Sequence, residues 1–220
     1  LLKWVAGEAD GGPDRPAGLA DRPLVVHVTA LAAVRDGTPF VLPGDARPSL
    51  PAAWVPVADV LDAVAASKAP RTFLLLDLAH PTADAVVGPL RDDAAAAVHD
   101  LLRKREADGT LSFPVLVSCG PGEFSLPAEA ERASAFAYYL AAGLRGAADG
   151  YAADAPTLAP DGTVTVRELA RFVEARVARY ARIAHDRRQT PRLYWAADPG
   201  ADFGLVFEKP GPANPPDPPD

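Results

Sequence analysis

Thr72-Phe73-Leu74-Leu75-Leu76-Asp77-Leu78-Ala79-His80-Pro81 is an apolar run that stops on a carboxylate and then meets a proline. Consecutive bulky hydrocarbon side chains at 73–76 cannot alternate between core and water, so the run predicts a strand buried on both faces and central in its sheet. Upstream, Leu24-Val25-Val26-His27-Val28-Thr29 follows Asp21-Arg22-Pro23 and has the composition of a second buried strand. Downstream, Pro114-Val115-Leu116-Val117-Ser118-Cys119 predicts a third, and Gly120-Pro121-Gly122 after it requires a turn.

Between these strands the apolar spacing changes to that of helices. Val57, Val60, Leu61 and Val64 form one stripe, and 92–106 opens on two acids and closes on Arg103, Lys104 and Arg105, matching the helix dipole. Residues 133–145 predict an Ala-rich helix burying Phe136, Tyr139, Leu140 and Leu144. Thr165-Val166-Arg167-Glu168 is a capping-box pattern that starts another helix, periodic through Tyr180. Phe40-Val41-Leu42 after Asp36-Gly37 predicts a short strand, and Arg192–Trp195 and Phe203–Phe207 are further candidates. Strands alternating with helices imply an α/β fold with a mostly parallel sheet flanked by helices.

With 220 residues and 49% hydrophobic content, one well-buried domain is expected over 1–207. Lys209 to Asp220 is mostly Pro, Gly and Asp, so 208–220 is expected to be a Pro-rich, disordered linker. No apolar run reaches the roughly 18 residues of a membrane span, so no membrane partner is expected. Leu1–Ala6 does not read as a signal peptide, and the chain contains no Met, which suggests a segment of a longer polypeptide. One cysteine, Cys119, excludes an internal disulfide and fits a cytoplasmic location. The net charge of −7 opposes nucleic-acid binding. Against that background, Arg167, Arg171, Arg176, Arg179, Arg182, Arg187 and Arg188 gather in one helix and its exit with Glu168, Glu174 and Asp186 interspersed, which reads first as an ordinary solvated face and second as a surface for an acidic partner.

In a parallel sheet, chemistry collects where the strands end. Those ends read Thr29-Ala30-Leu31-Ala32, Asp77-Leu78-Ala79-His80-Pro81 and Ser118-Cys119-Gly120-Pro121-Gly122. Together with Ser134-Ala135-Phe136, Asp161-Gly162-Thr163-Val164-Thr165 and Arg188-Gln189-Thr190-Pro191, their order and spacing resemble the caspase and metacaspase-like cysteine peptidases, particularly bacterial ones. The resemblance covers about residues 24–195. It implies a three-layer caspase-like fold.

Carried over position by position, the family's catalytic His falls on Leu31 and its nucleophilic Cys on Ala79. Neither side chain can form a thiolate or accept a proton, so the resemblance implies a degenerate site. Ala30 and Ala32 stand where the family has glycines flanking its His. Asp77 matches a residue that helps form a basic-residue pocket in metacaspase-like relatives, making it a candidate partner-binding residue. A carboxylate at a strand end can equally accept hydrogen bonds from a neighbouring helix start.

An enzymatic alternative uses Cys119 with His80 as a relocated thiol/imidazole pair, if their strands are neighbours. The bland reading is that Cys119 is a small buried residue and His80 caps a turn. His27, His99 and His185 show no metal spacing. The Asp161-Gly162 segment fails as a calcium loop, because Thr157 and Ala159 fall where carboxylates are needed. No metal or cofactor is expected.

The family normally begins with a strand, a helix and a second strand before the one at 24–29, and 23 residues cannot supply them. Leu1, Trp4 and Val5 suit at most the end of the entering helix, so strand 24–29 is expected to be an exposed edge. The expectation is therefore a catalytically inactive module of a larger, multidomain bacterial protein. It would bind a protein or peptide partner, or neighbouring domains of its own polypeptide. An active cysteine endopeptidase, using Cys119 or a site completed outside the segment, is the alternative.

Overall fold

The computed structural model describes residues 23–47, 51–67, 69, 71–79, 83–84, 88–89, 93–151, 159–195 and 202–205. The readings made for 1–22, His80, Pro81, Asp92, Thr157 and the 208–220 tail lie outside them.

The strands are β1 (Leu24–Thr29), β2 (Leu31–Arg35), β3 (Thr38–Leu42), β4 (Val55–Pro56), β5 (Thr72–Asp77), β6 (Ala83–Asp84), β7 (Gly88–Pro89), β8 (Val115–Val117), β9 (Pro127–Ala128), β10 (Ala133–Ser134), β11 (Val164–Thr165), β12 (Arg192–Tyr194) and β13 (Gly204–Leu205). The α-helices are α1 (Val57–Ala66), α2 (Ala94–Ala107), α3 (Ala135–Ala142) and α4 (Val166–His185).

The main sheet has the order β1-β5-β8-β12. β5 pairs in parallel with β1 and β8, and β12 returns antiparallel to β8. The run quoted first behaves as its composition requires, since every residue of β5 is buried. Its alternate side chains feed two cores. Leu74 and Leu76 join Val115, Val117, the α1 stripe and Val98 and Leu102 of α2 on one face. Phe73 and Leu75 join Leu116, α3 and α4 on the other. Each fully buried Leu or Phe contributes about 1.5–3 kcal/mol by leaving water, which makes this two-sided burial the main term fixing the sheet.

β1 departs from the buried strand its composition suggests. Leu24 donates to the Arg71 carbonyl and Ala30 to the Asp77 carbonyl, so the even-numbered residues face β5. The backbone groups of Val25, His27 and Thr29 therefore face the other way, where no described strand pairs. Their side chains are exposed too, because α3 and α4 cover β5 and β8 and stop short of β1. Phe136 is the nearest cover, with its ring centroid 6.2 Å from that of His27.

The segment Leu31–Arg35, read from the sequence only as following the end of β1, carries no strand signal of its own. It is strand β2, forming a hairpin with β3 through Asp36 and Gly37, both at positive φ (51° and 75°). Such a two-residue turn matches the twist of the hairpin and suits an Asp-Gly pair. The Thr165 capping box is complete, with Thr165 Oγ1 accepting from Glu168 N and Glu168 Oε2 accepting from Thr165 N. Gly204–Leu205 pairs with β11 outside the main sheet.

Candidate functional site

The carboxyl ends of β1, β5 and β8 lie side by side. Thr29 pairs with Asp77 at the ends of β1 and β5, and two residues further on Leu31 has entered β2 of the second sheet while Ala79 lies in the loop after β5. Leu31 opens β2 opposite Leu42 and is 46% exposed. Ala79 is buried in a small cluster with Ala95 and Cys119. Hydrocarbon thus occupies both positions.

Asp77 is fully buried at the end of β5. Its Oδ2 accepts a hydrogen bond from Ser134 Oγ at 2.5 Å. Ser134 is the N-cap of α3, and the same hydroxyl accepts from Ala137 N at 3.0 Å. The carboxylate therefore anchors the start of that helix to the sheet. Its charge also raises the pKa of His27, but desolvation is the larger effect and holds that imidazole below its ordinary value.

Cys119 is fully buried, and its thiol donates to the Glu123 carbonyl at 3.5 Å. The described imidazole nearest in function is His99, which approaches the carbonyl of Cys119 and not the sulfur: Nε2 lies 2.7 Å from Cys119 O. A carbonyl only accepts, so Nε2 carries the proton and Nδ1 accepts from the Tyr194 hydroxyl, with which it is in contact. Both ring nitrogens are satisfied by the neutral form. Burial pushes the His99 pKa down, and pushes that of Tyr194 up, which keeps both groups uncharged.

The loop after Cys119 is held by two side chains from the segment entering β12. Gln189 Nε2 donates to Ser118 O, and its Oε1 accepts from Leu126 N, both at 2.9 Å. Glu123 Oε2 accepts from Gly120 N at 2.8 Å and Thr190 N at 2.6 Å, and Oε1 accepts from Thr190 Oγ1 at 3.2 Å. Ser125 N completes the frame by donating to Ala79 O at 2.6 Å. The structure thus joins Ser118–Glu123 to Gln189–Thr190, two segments singled out separately in the sequence.

Sequence reasoning missed the buried His99–Tyr194 pair. The one available signal was His99 falling on the apolar side of α2 together with Val98 and Leu102. His27, His99 and His185 remain apart, and among the described residues no cluster of metal-ligating side chains occurs. Asp149 instead accepts from the backbone N–H groups of Asp161 and Gly162, at 2.9 Å each, giving that turn a structural role. No described helix is long and apolar enough to cross a membrane.

No protein-family model matches the sequence, and no curated protein matches it significantly.

Proposed function

We propose that this chain is a caspase-like domain that has lost its catalytic dyad and acts as a pseudo-peptidase, binding or scaffolding a protein or peptide partner through the loops at its sheet edge. What supports the reading is that β1 and β5 end side by side with Thr29 paired to Asp77, and that the residues the resemblance would make catalytic, Leu31 and Ala79, both come two positions after those strand ends. Thiol peptide hydrolysis needs a thiolate and an imidazole there to take up and return a proton. A Leu and an Ala do neither.

The enzymatic alternative through Cys119 is disfavoured by the complete burial of that thiol and by its donation to a backbone carbonyl. A thiol enclosed in this way is out of reach of a peptide bond. In this reading Asp77 supports the partner surface from below, because it fixes the start of α3 at the strand edge.

The test is incubation of the purified protein with fluorogenic peptides carrying Arg, Lys or Asp before the scissile bond. The expected result is no cleavage above a denatured control. Cleavage that disappears in Cys119→Ser would overturn the pseudo-peptidase reading in favour of a relocated active site.

A further inference from the structure

The small sheet β2-β3-β4 turns one face to the core and the other away from it. Alternation along the strands assigns the sides. Val41 is buried and, with Ala32 and Val55, packs into the core that contains α1 and the apolar side of α2. The intervening positions face outward, where Leu31 pairs with Leu42, Ala33 with Phe40, and Phe40 with Pro56. Trp54, one residue before Val55, adds its ring to that side, with its centroid 5.9 Å from that of Phe40 and the planes at 67°. Trp54 Nε1 donates to the Arg47 carbonyl at 3.2 Å, which fixes the indole beside the Phe40 ring. Among the described residues, none of Leu31, Ala33, Phe40, Leu42 and Trp54 belongs to a core cluster, and Leu31 is 46% exposed.

Size decides the class of occupant. Strands about 4.8 Å apart and at most five residues long offer roughly 250 Å² here, against about 800 Å² per partner in a stable protein pair. The face is too small for a second folded copy and suits one short peptide. Charge does not choose among peptides, because Arg35 and Arg47 near the face have acids close by. Asp36 lies 3.8 Å from Arg35, Asp45 precedes Arg47 by two residues, and all four are exposed. Selection falls to the rings, and aromatic-lined surfaces are what proline-rich segments dock against.

Such a segment exists in this chain. The described residues stop at Leu205, and the sequence beyond contains Asn214-Pro215-Pro216-Asp217-Pro218-Pro219-Asp220, which repeats with a period of three. A polyproline helix has three residues per turn, so this pattern sets Asn214, Asp217 and Asp220 on one edge and the prolines on the other two. At about 3.1 Å per residue the segment spans roughly 22 Å, close to the roughly 17 Å of a five-residue strand. We propose that the outer face of β2-β3-β4 is a docking site for this chain's own proline-rich segment, residues 214–220, with prolines seated against Phe40, Trp54 and Leu31. The inference uses Leu31 only as an exposed apolar side chain, so it does not depend on the pseudo-peptidase reading.

The probe is a fluorescent peptide of residues 209–220, and anisotropy reads its binding to the 220-residue chain. Pro215→Ser, Pro216→Ser, Pro218→Ser and Pro219→Ser together disable the resident segment without shortening the chain. That variant is expected to bind the probe at least about threefold tighter than the parent, whose own segment competes for the site. In its background, Trp54→Ala should weaken binding at least about tenfold and Leu31→Ser about threefold, whereas Ile183→Ser, exposed on α4, should change nothing. Affinity should move less than about threefold between roughly 50 and 300 mM salt, because the contact is apolar. Circular dichroism verifies folding, and Leu31→Ser alters an exposed side chain, so it keeps the test valid if Trp54→Ala unfolds. Absence of binding, equal binding of a probe carrying the same four Pro→Ser changes, equal affinity of parent and disabled variant, or indifference to Leu31→Ser would each overturn the proposal.

Discussion

Ser134 Oγ donates to Asp77 Oδ2 while accepting the N–H of Ala137, so one hydroxyl caps α3 and joins it to the end of the central strand. Removing it leaves a buried carboxylate short of a donor and a helix N-terminus short of an acceptor. Ser134→Ala is expected to lower stability by about 2 kcal/mol, measured from urea unfolding midpoints. Ser134→Thr retains the hydroxyl and should recover most of the loss. An Ala variant as stable as the parent would show that this link contributes nothing.

A pH dependence follows from His99. Its folded-state pKa is held below 6.5 by burial, whereas in the unfolded chain it returns to about 6.5. Above that pH both states are neutral and the stabilisation is complete. As pH falls through 6.5, the unfolded chain binds a proton that the folded chain refuses, so stability declines until the folded-state pKa is reached. Urea midpoints should therefore fall between about pH 7.5 and 5.5, and His99→Phe should be less stable at neutral pH but show a flatter profile. Equal slopes in the two proteins would rule out this origin.

The sequence disclosed elements whose signal is local. Phe73–Leu76 could only be a two-sided buried strand, and Thr165 with Glu168 could only serve one helix start. Two further features depend on partners distant in the chain. β2 was hidden because Leu31–Arg35 becomes a strand only through β3, although Asp36-Gly37 marked the turn itself. The His99–Tyr194 contact spans 95 positions and has no spacing signature. Asp77 was identifiable as a strand-end carboxylate, but its selection of Ser134 came from the docking of α3.

Among the described residues no strand pairs with the outer edge of β1, which predicts self-association. Val25, His27 and Thr29 point both backbone groups and side chains away from cover, and the strand carries no Lys, Pro or bulge to oppose pairing. Val25 is 37% exposed, enough for a longer side chain to carry its charge out into water. Val25→Lys should reduce concentration-dependent light scattering while leaving the thermal midpoint within about 2 °C, the scale of a shift well under 1 kcal/mol. Unchanged scattering would place the sticky surface elsewhere.

Glu123 controls access to the one thiol. Its carboxylate collects the N–H groups of Gly120 and Thr190, and its own carbonyl receives the Cys119 thiol, so carboxylate and thiol are restrained by the same turn. Glu123→Ala removes the acceptor of both N–H groups and of the Thr190 hydroxyl, at an expected cost of about 2–4 kcal/mol in urea unfolding. The loop then opens more often than the whole chain unfolds, and Cys119 should react with an aromatic disulfide at least about tenfold faster under native conditions. Tyr194→Phe provides the contrast. It strips the donor from His99 Nδ1 and destabilises the core beneath the strand, yet leaves the Glu123 turn intact, so its thiol should react no faster than its global stability allows. If both variants exposed Cys119 in proportion to their unfolding free energies, the turn would have no independent role in covering the thiol.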